Sequence, residues 1–253
     1  MLRVRIGGLV FEDFPSDLSQ GFVISPNGWS GWDEGVDVRR DEKVRPVSHG
    51  AFDAVGYLGA RVVTIAGNII ASSPVELEHM RARLTGLLAD GSTGRLVVDS
   101  DMGSTWADVR LASRTSVKVS GASGMEAEFQ ISFWAPDMRK YGETRTFTGP
   151  TASAYHYGNF PASPVIEVTG SMASGYTVAS QGRSFIVSQA LTSGHTHRID
   201  MRSGWLFLDD VLQTGAVSQA RTFQIPPGAP ATVAFTPVSG SGVMSVKVTD
   251  TYV

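Results

Sequence analysis

The sequence predicts a mainly β protein that carries one α-helix. Short apolar stretches rich in Val, Ile and Phe recur between Gly, Pro, Asn and Ser turn signals along its 253 residues. Only one stretch, near 74–89, has helical periodicity. An apolar fraction of 42% is that of a globular chain, so disorder is not expected.

The helix stands between two strands, in the stretch from Arg61 to Asp101. Ser73-Pro74-Val75-Glu76 reads as its start: Ser73 can cap the free amide of Glu76, and Pro74 suits the first helical position. Leu77, Met80, Leu84, Leu87 and Leu88 then fall on one face. Asp90-Gly91 is the expected stop, glycine being the residue that accepts a left-handed backbone. A lone helix in such a chain must lay its stripe on a sheet or on another subunit.

Strands are expected over 1–11, 21–25, Arg61 to Ala71, Arg95 to Asp99, Trp106 to Ala112, Ser116 to Ser120 and Met125 to Trp134. Between them, residues 33–58 show no clear period and contain Asp37-Val38-Arg39-Arg40-Asp41-Glu42-Lys43-Val44-Arg45. A stretch this long without structure is either a solvated loop or an arm that crosses to a neighbouring subunit. Its interleaved signs suit paired contacts across an interface better than phosphate binding.

Charge is spread unevenly. Residues 1–150 hold 16 Lys/Arg and 19 Asp/Glu, and residues 151–253 hold 5 of each. The fall begins near Thr148-Gly149-Pro150, which has linker composition, so the domains are placed at 1–148 and 149–253. The second part offers strands over Val165 to Thr169, Tyr176 to Ala179, Ser184 to Val187, His197 to Met201, Trp205 to Leu208, Thr222 to Ile225, Thr232 to Thr236 and Gly242 to Val248. This spacing suggests a sandwich or jelly roll.

A net charge of −3 argues against a general nucleic-acid or membrane-surface binder. No apolar run approaches the length of a membrane span. The absence of cysteine removes disulfide frameworks, zinc ribbons and cysteine nucleophiles, and fits a reducing cytosol. Met1-Leu2-Arg3-Val4-Arg5-Ile6 alternates like a strand and lacks the apolar run of a secretion signal. A protein of this kind that works outside a cell leaves by lysis or within a particle.

Catalytic and metal signatures are weak. His195 and His197 would share a strand face with Asp200 nearby, a possible metal set, but Ser193-Gly194 before them points to a solvated loop. His156, between Tyr155 and Tyr157, reads as packing. Asp209-Asp210 suits turn geometry better than a carboxylate pair for glycoside cleavage. No nucleophile elbow, phosphate loop, dinucleotide fingerprint, zinc-protease motif or calcium loop is present. Trp205 and Tyr176 are the candidates for stacking on a sugar ring, although Trp205 and Phe207 facing inward would simply be core.

The order of these features resembles the distal tail protein family of phages with long, flexible, non-contractile tails, over nearly the whole chain. In the first part it rests on the strand, helix and strand, the charged arm before them, and Phe133-Trp134-Ala135-Pro136-Asp137-Met138-Arg139-Lys140-Tyr141. In the second it rests on Gly158-Asn159-Phe160-Pro161-Ala162-Ser163-Pro164-Val165, on Ile199-Asp200-Met201-Arg202-Ser203-Gly204-Trp205-Leu206-Phe207-Leu208-Asp209-Asp210 and on Ile225-Pro226-Pro227-Gly228.

The resemblance implies an N-terminal β-sandwich-like domain that forms a hexameric ring, and a C-terminal galectin-like β-sandwich. It implies a place at the virion tail tip, with the tail tube protein above, the tail-associated hub protein below and the tape measure protein in the lumen. No reaction and no cofactor are expected. Arg39, Arg40, Asp41, Glu42, Lys43 and Arg45 are the expected subunit interface. The alternatives are a carbohydrate-binding adhesin acting through the second domain and, more remotely, a glycan-processing enzyme.

Overall fold

Buried and exposed side chains alternate along most long strands of the computed structural model, which describes residues 1–13, 20–101, 103–121 and 123–253. The chain divides into two compact units, Met1–Lys140 with Val253, and Tyr141–Tyr252. Composition placed this boundary at 148, eight residues later; the strand 140–148, all but its first residue, belongs with the second unit.

The first unit holds β1 (Arg3–Ile6), β2 (Leu9–Glu12), β3 (Gly21–Ser30), β4 (Val38–Arg39), β5 (Tyr57–Leu58), β6 (Arg61–Ile70), α1 (Pro74–Gly86), β7 (Gly94–Ser100), β8 (Gly103–Leu111), β9 (Ser116–Ser120) and β10 (Glu126–Ala135). Strands β8-β7-β1-β2-β3-β6-β10 are neighbours in that order, and β10 pairs again with β8 through Phe133↔Leu111 and Trp134↔Arg110. The sandwich-like layering expected here therefore takes the form of a sheet closed on itself, a barrel. β9 pairs with the first half of β10 and keeps a free edge among the described residues.

The barrel is filled by the apolar alternates of its strands. Val4, Ile6, Val63, Ile65, Ile69, Leu96, Val98, Ile131 and Phe133 are all buried. β2 and β3 run parallel, and their ladder among the described residues is two residues long, Phe11↔Phe22 and Glu12↔Val23. Behind that short seam Phe11, Phe22 and Phe129 pack ring to ring at 5.2, 5.6 and 5.9 Å.

α1 starts as read: Ser73 Oγ accepts the Glu76 amide at 3.2 Å, and Pro74 opens the helix. Leu77, Met80, Leu84 and Leu87 are buried in the barrel core. The helix ends earlier than the Asp90-Gly91 stop. Leu87 leaves the helical region, its amide bonding Leu84 O at 3.3 Å, and Leu88 takes φ +54. The left-handed turn thus falls on a leucine whose side chain packs on the core, and burial offsets the conformational cost.

The second unit holds β11 (Lys140–Thr148), β12 (Thr151–Ala154), β13 (Val165–Ser171), β14 (Tyr176–Ser180), β15 (Arg183–Val187), β16 (Thr196–Asp200), β17 (Trp205–Leu208), β18 (Val211–Leu212), β19 (Val217–Ala220), β20 (Ala231–Pro237) and β21 (Ser241–Tyr252). One sheet runs β18-β17-β16-β13-β21-β11, the other β12-β20-β14-β15-β19. Their inner faces, with Ile166, Val168, Val178, Phe185, Ile199, Val233 and Val246, make one core, so this unit is a β-sandwich. The strand expected over Thr222 to Ile225 is a single bridge, Ala162↔Ile225, while β11, β12, β18 and β19 are additional.

Candidate functional site

Residues 33–58, without period in the sequence, form an arm. β4 and β5 pair through Val38↔Leu58 and Arg39↔Tyr57, and Gly59 N donates to Asp37 O at 2.8 Å. Near the tip Val44 bridges Ala51, with Phe52 N to Lys43 O at 2.9 Å and Arg45 N to Gly50 O at 3.1 Å. The backbone turns back on itself, yet its side chains stay in solvent. Val38, Val44, Val47, Phe52, Val55 and Tyr57 are all exposed, as are Arg39, Arg40, Asp41, Glu42, Lys43 and Arg45. Six large apolar side chains on one hairpin are more than a lone solvated loop requires. Beyond Asp33 and Glu34 at the root, Asp37, Asp41, Glu42 and Asp53 balance Arg39, Arg40, Lys43 and Arg45, so residues 35–58 carry no net charge.

The root of the arm is held by a buried cation. Arg61, the first residue of β6, is 0% exposed. Its Nη1 donates to Gly31 O at 2.6 Å, Trp32 O at 3.0 Å and Glu34 O at 3.0 Å, and its Nε donates to Met138 O at 3.1 Å. Lys140 Nζ reaches the same Trp32 carbonyl at 2.6 Å. Burial pulls the pKa of Arg61 down, and burial followed by the Arg61 charge does the same to Lys140. Asp33 and Glu34 lie close enough to oppose both shifts, and each has a further task. Trp29 Nε1 donates to Asp33 at 3.2 Å, and Gly31 N donates to Glu34 at 2.7 Å. Gly31 must be glycine, because its φ is +84 and a Cβ would lie 1.8 Å from Val62 O. The sequence flagged the arm and missed its anchor; the signal was an arginine just after the arm, opening a strand that is mostly apolar.

The histidines do not form a metal set. His197 is buried and its Nδ1 lies 3.1 Å from the Tyr176 hydroxyl, whereas His195 stands outside β16 and pairs with Asp209. Burial lowers the His197 pKa, which favours the neutral ring, and the nearby Asp209 charge opposes that shift. Among the described residues no group of three or more potential ligands gathers for a metal. His156 is buried as packing: Nδ1 accepts from Gly158 N at 3.0 Å, which leaves Nε2 to donate to Ile225 O at 3.2 Å. Asp209 and Asp210, at φ +47 and +66, are the two left-handed residues of the β17–β18 turn.

Of the two sugar-stacking candidates, Tyr176 needs correction, and for Trp205 it is the inward-facing alternative that does. Tyr176 is fully buried, between His197 and Phe235, and no ligand ring can reach it. Trp205 is 56% exposed, and it is Leu206 that enters the core. Trp205 and Phe207 share the outer face, their rings 6.5 Å apart, with the Arg198 guanidinium 4.1 Å from the Phe207 ring.

The arrangement offers surfaces for association and no assembled catalytic group among the described residues. No family model matches the chain, and no curated protein matches it in sequence. Solved structures do. The Dit protein (gp 19.1) of phage SPP1, described as a paradigm of the hub adsorption apparatus in phages infecting Gram-positive hosts, matches with a TM-score of 0.78. Identity is 14%, and 100% of each chain is covered. A chain of the phage P2 baseplate in its activated, calcium-containing conformation matches with a TM-score of 0.53 at 7% identity over 98% of each chain. From one end to the other, this chain has the fold of the phage distal tail protein Dit.

Proposed function

We propose that the protein is a non-enzymatic structural component of a phage tail tip or baseplate. Six copies form a ring that joins the tail tube to the tail-associated hub, with the tape measure protein in the lumen. The observation that carries this reading is the full-length likeness to SPP1 Dit. The exposed arm supports it, since a closed ring is a head-to-tail assembly in which each copy gives one patch and receives another. Light scattering of the whole chain, alone and with tube and hub proteins, tests it. A mass of six chains is the expected result.

Arm charges set the register of that contact. Exposed ion pairs contribute about 0–1 kcal/mol each, so single substitutions do little. Reversing Arg39, Arg40 and Arg45 together to Glu is expected to lower association at least about tenfold, roughly 1.4 kcal/mol, and to leave the melting temperature of the isolated subunit within about 2 °C. Intact rings with early subunit unfolding would place the arm in the core instead.

A second reading, glycan binding by the second unit, is favoured by one observation, the exposure of Trp205 on an open sheet face. Indole and phenyl faces stack on apolar ligand faces, and Arg198 and Asp210 beside them could order hydroxyls. Under the tail-tip reading a glycan array probed with the whole chain is blank. A reproducible hit lost in a folded Trp205→Ala variant would move the assignment to an adhesin.

A further inference from the structure

The first unit carries a second polar surface, which the arm does not use within its own chain. A cleft of about 390 Å³ lies between α1 and the segment entering β9. Its charged lining is Arg81, Arg114 and Lys118 against Glu78 alone, an excess of positive charge. Arg81 binds Glu78 at 2.6 Å through Nη1, yet its Nε is shielded from water without a partner. Thr115 Oγ1 is in the same condition. Shielded polar atoms left unmatched cost free energy, but what the cleft offers an incoming group is the charge of Arg114 and Lys118, both exposed. Beside the cleft runs the unpaired edge of β9, with Val119 exposed.

We propose that this cleft receives the Asp41-Glu42 step of the arm of a second copy of the chain. The inference rests on the ring reading above and says where the arm goes. Asp41 and Glu42 are adjacent and exposed, and neither carboxylate meets a cation among the described residues. They are followed directly by Lys43 and Val44, so an extended limb can place acids in the cleft while its backbone adds to the β9 edge. An arm limb over 38–46 spans about 30 Å at 3.3 Å per residue, enough to leave its own subunit. Val44 and Val119 supply an apolar contact beside the charges. The arm is solvent-exposed and the cleft is open in one and the same chain, so the union is intermolecular. Donor and receiver are different patches, as ring closure requires.

The chain has no cysteine, which makes the test direct. Glu42→Cys and Lys118→Cys proteins are prepared separately and mixed under oxidising conditions. Disulfide-linked dimers are expected in the mixture and not in either protein alone, and the doubly substituted chain is expected to give a covalent ladder up to the ring. In parallel, Arg114→Glu with Lys118→Glu is expected to weaken assembly at least about tenfold, and adding Asp41→Lys with Glu42→Lys is expected to restore it. Both positions are exposed, so the variants should melt as the parent does. If the wild-type chain forms rings but the cysteine variants give no crosslink, or if rings survive the Arg114/Lys118 reversal, the seat is overturned and the ring reading stands. A wild-type chain that stays monomeric with tube and hub present, together with cysteine variants that give no crosslink, removes both.

Discussion

Replacing Arg61 by alanine is expected to destabilise the first unit by about 3–5 kcal/mol, the range of a broken buried hydrogen-bond network. One side chain satisfies the carbonyls of Gly31, Trp32, Glu34 and Met138, and removing the guanidinium takes this shared donor away, leaving Lys140 on the Trp32 carbonyl. The melting temperature should fall by roughly 10 °C for a unit of this size. A second readout separates anchoring from bulk stability. Limited proteolysis within 35–59 should accelerate well below the melting transition, because the strands on both sides of the arm lose their common tie. Arg61→Lys keeps the charge but cannot fork to several carbonyls, so it should fall between the two. If alanine leaves both melting and cleavage unchanged, the root is held by its backbone, and the arm is not positioned by Arg61.

Phe11→Ala is expected to cost about 3–5 kcal/mol, the range for a buried phenyl group removed from a packed core. The effect should be local before it is global. The β2–β3 ladder is two pairs long, as is the β8–β10 closure, so the phenyl cluster behind the seam contributes closure that hydrogen bonds do not. Amide exchange in β2 and β3 should speed up first, while β6 and β10, paired over ten residues, remain protected. Phe129→Ala in the same background should add less than its single effect, since the two rings share one contact. Uniform loss of protection around the whole barrel would show that the seam is no weaker than its neighbours.

The parts of this fold written in local chemistry were legible in the sequence. Ser73, Pro74 and the stripe from Leu77 to Leu87 announced α1, and Ala127, Phe129, Ile131 and Phe133 announced the inner face of β10. Its failures have physical causes. The helix stop went to Leu88 because burial outweighed a left-handed penalty that local rules assign to glycine. Trp205 was read inward because Trp205, Leu206, Phe207 and Leu208 are all apolar, so a period of two does not say which pair faces the core. Tyr176 looked available because a tyrosine hydroxyl can meet water or, as here, a buried histidine. Closure of the barrel depends on pairing between strands distant in sequence, which no local window contains. The arm was seen as a gap in periodicity, and its anchor at Arg61 lay outside the gap.

The pairing of β1 with β7 has a consequence for the timing of folding. Arg3 stands opposite Asp99, and in the second unit Val165 stands opposite Lys247. Such contacts are closed late, after long loops have been ordered, which places both units among slow-folding topologies. On a ribosome adding about 5–20 residues per second, the chain carries Val4 and Ile6 for roughly 5–20 s before the strand that covers them exists. During that interval β1 can hairpin with β2 alone, an arrangement of marginal stability in water. Production of the protein is therefore most exposed to misassembly through its first dozen residues, and slower synthesis or lower temperature acts on that step before any ring contact can form.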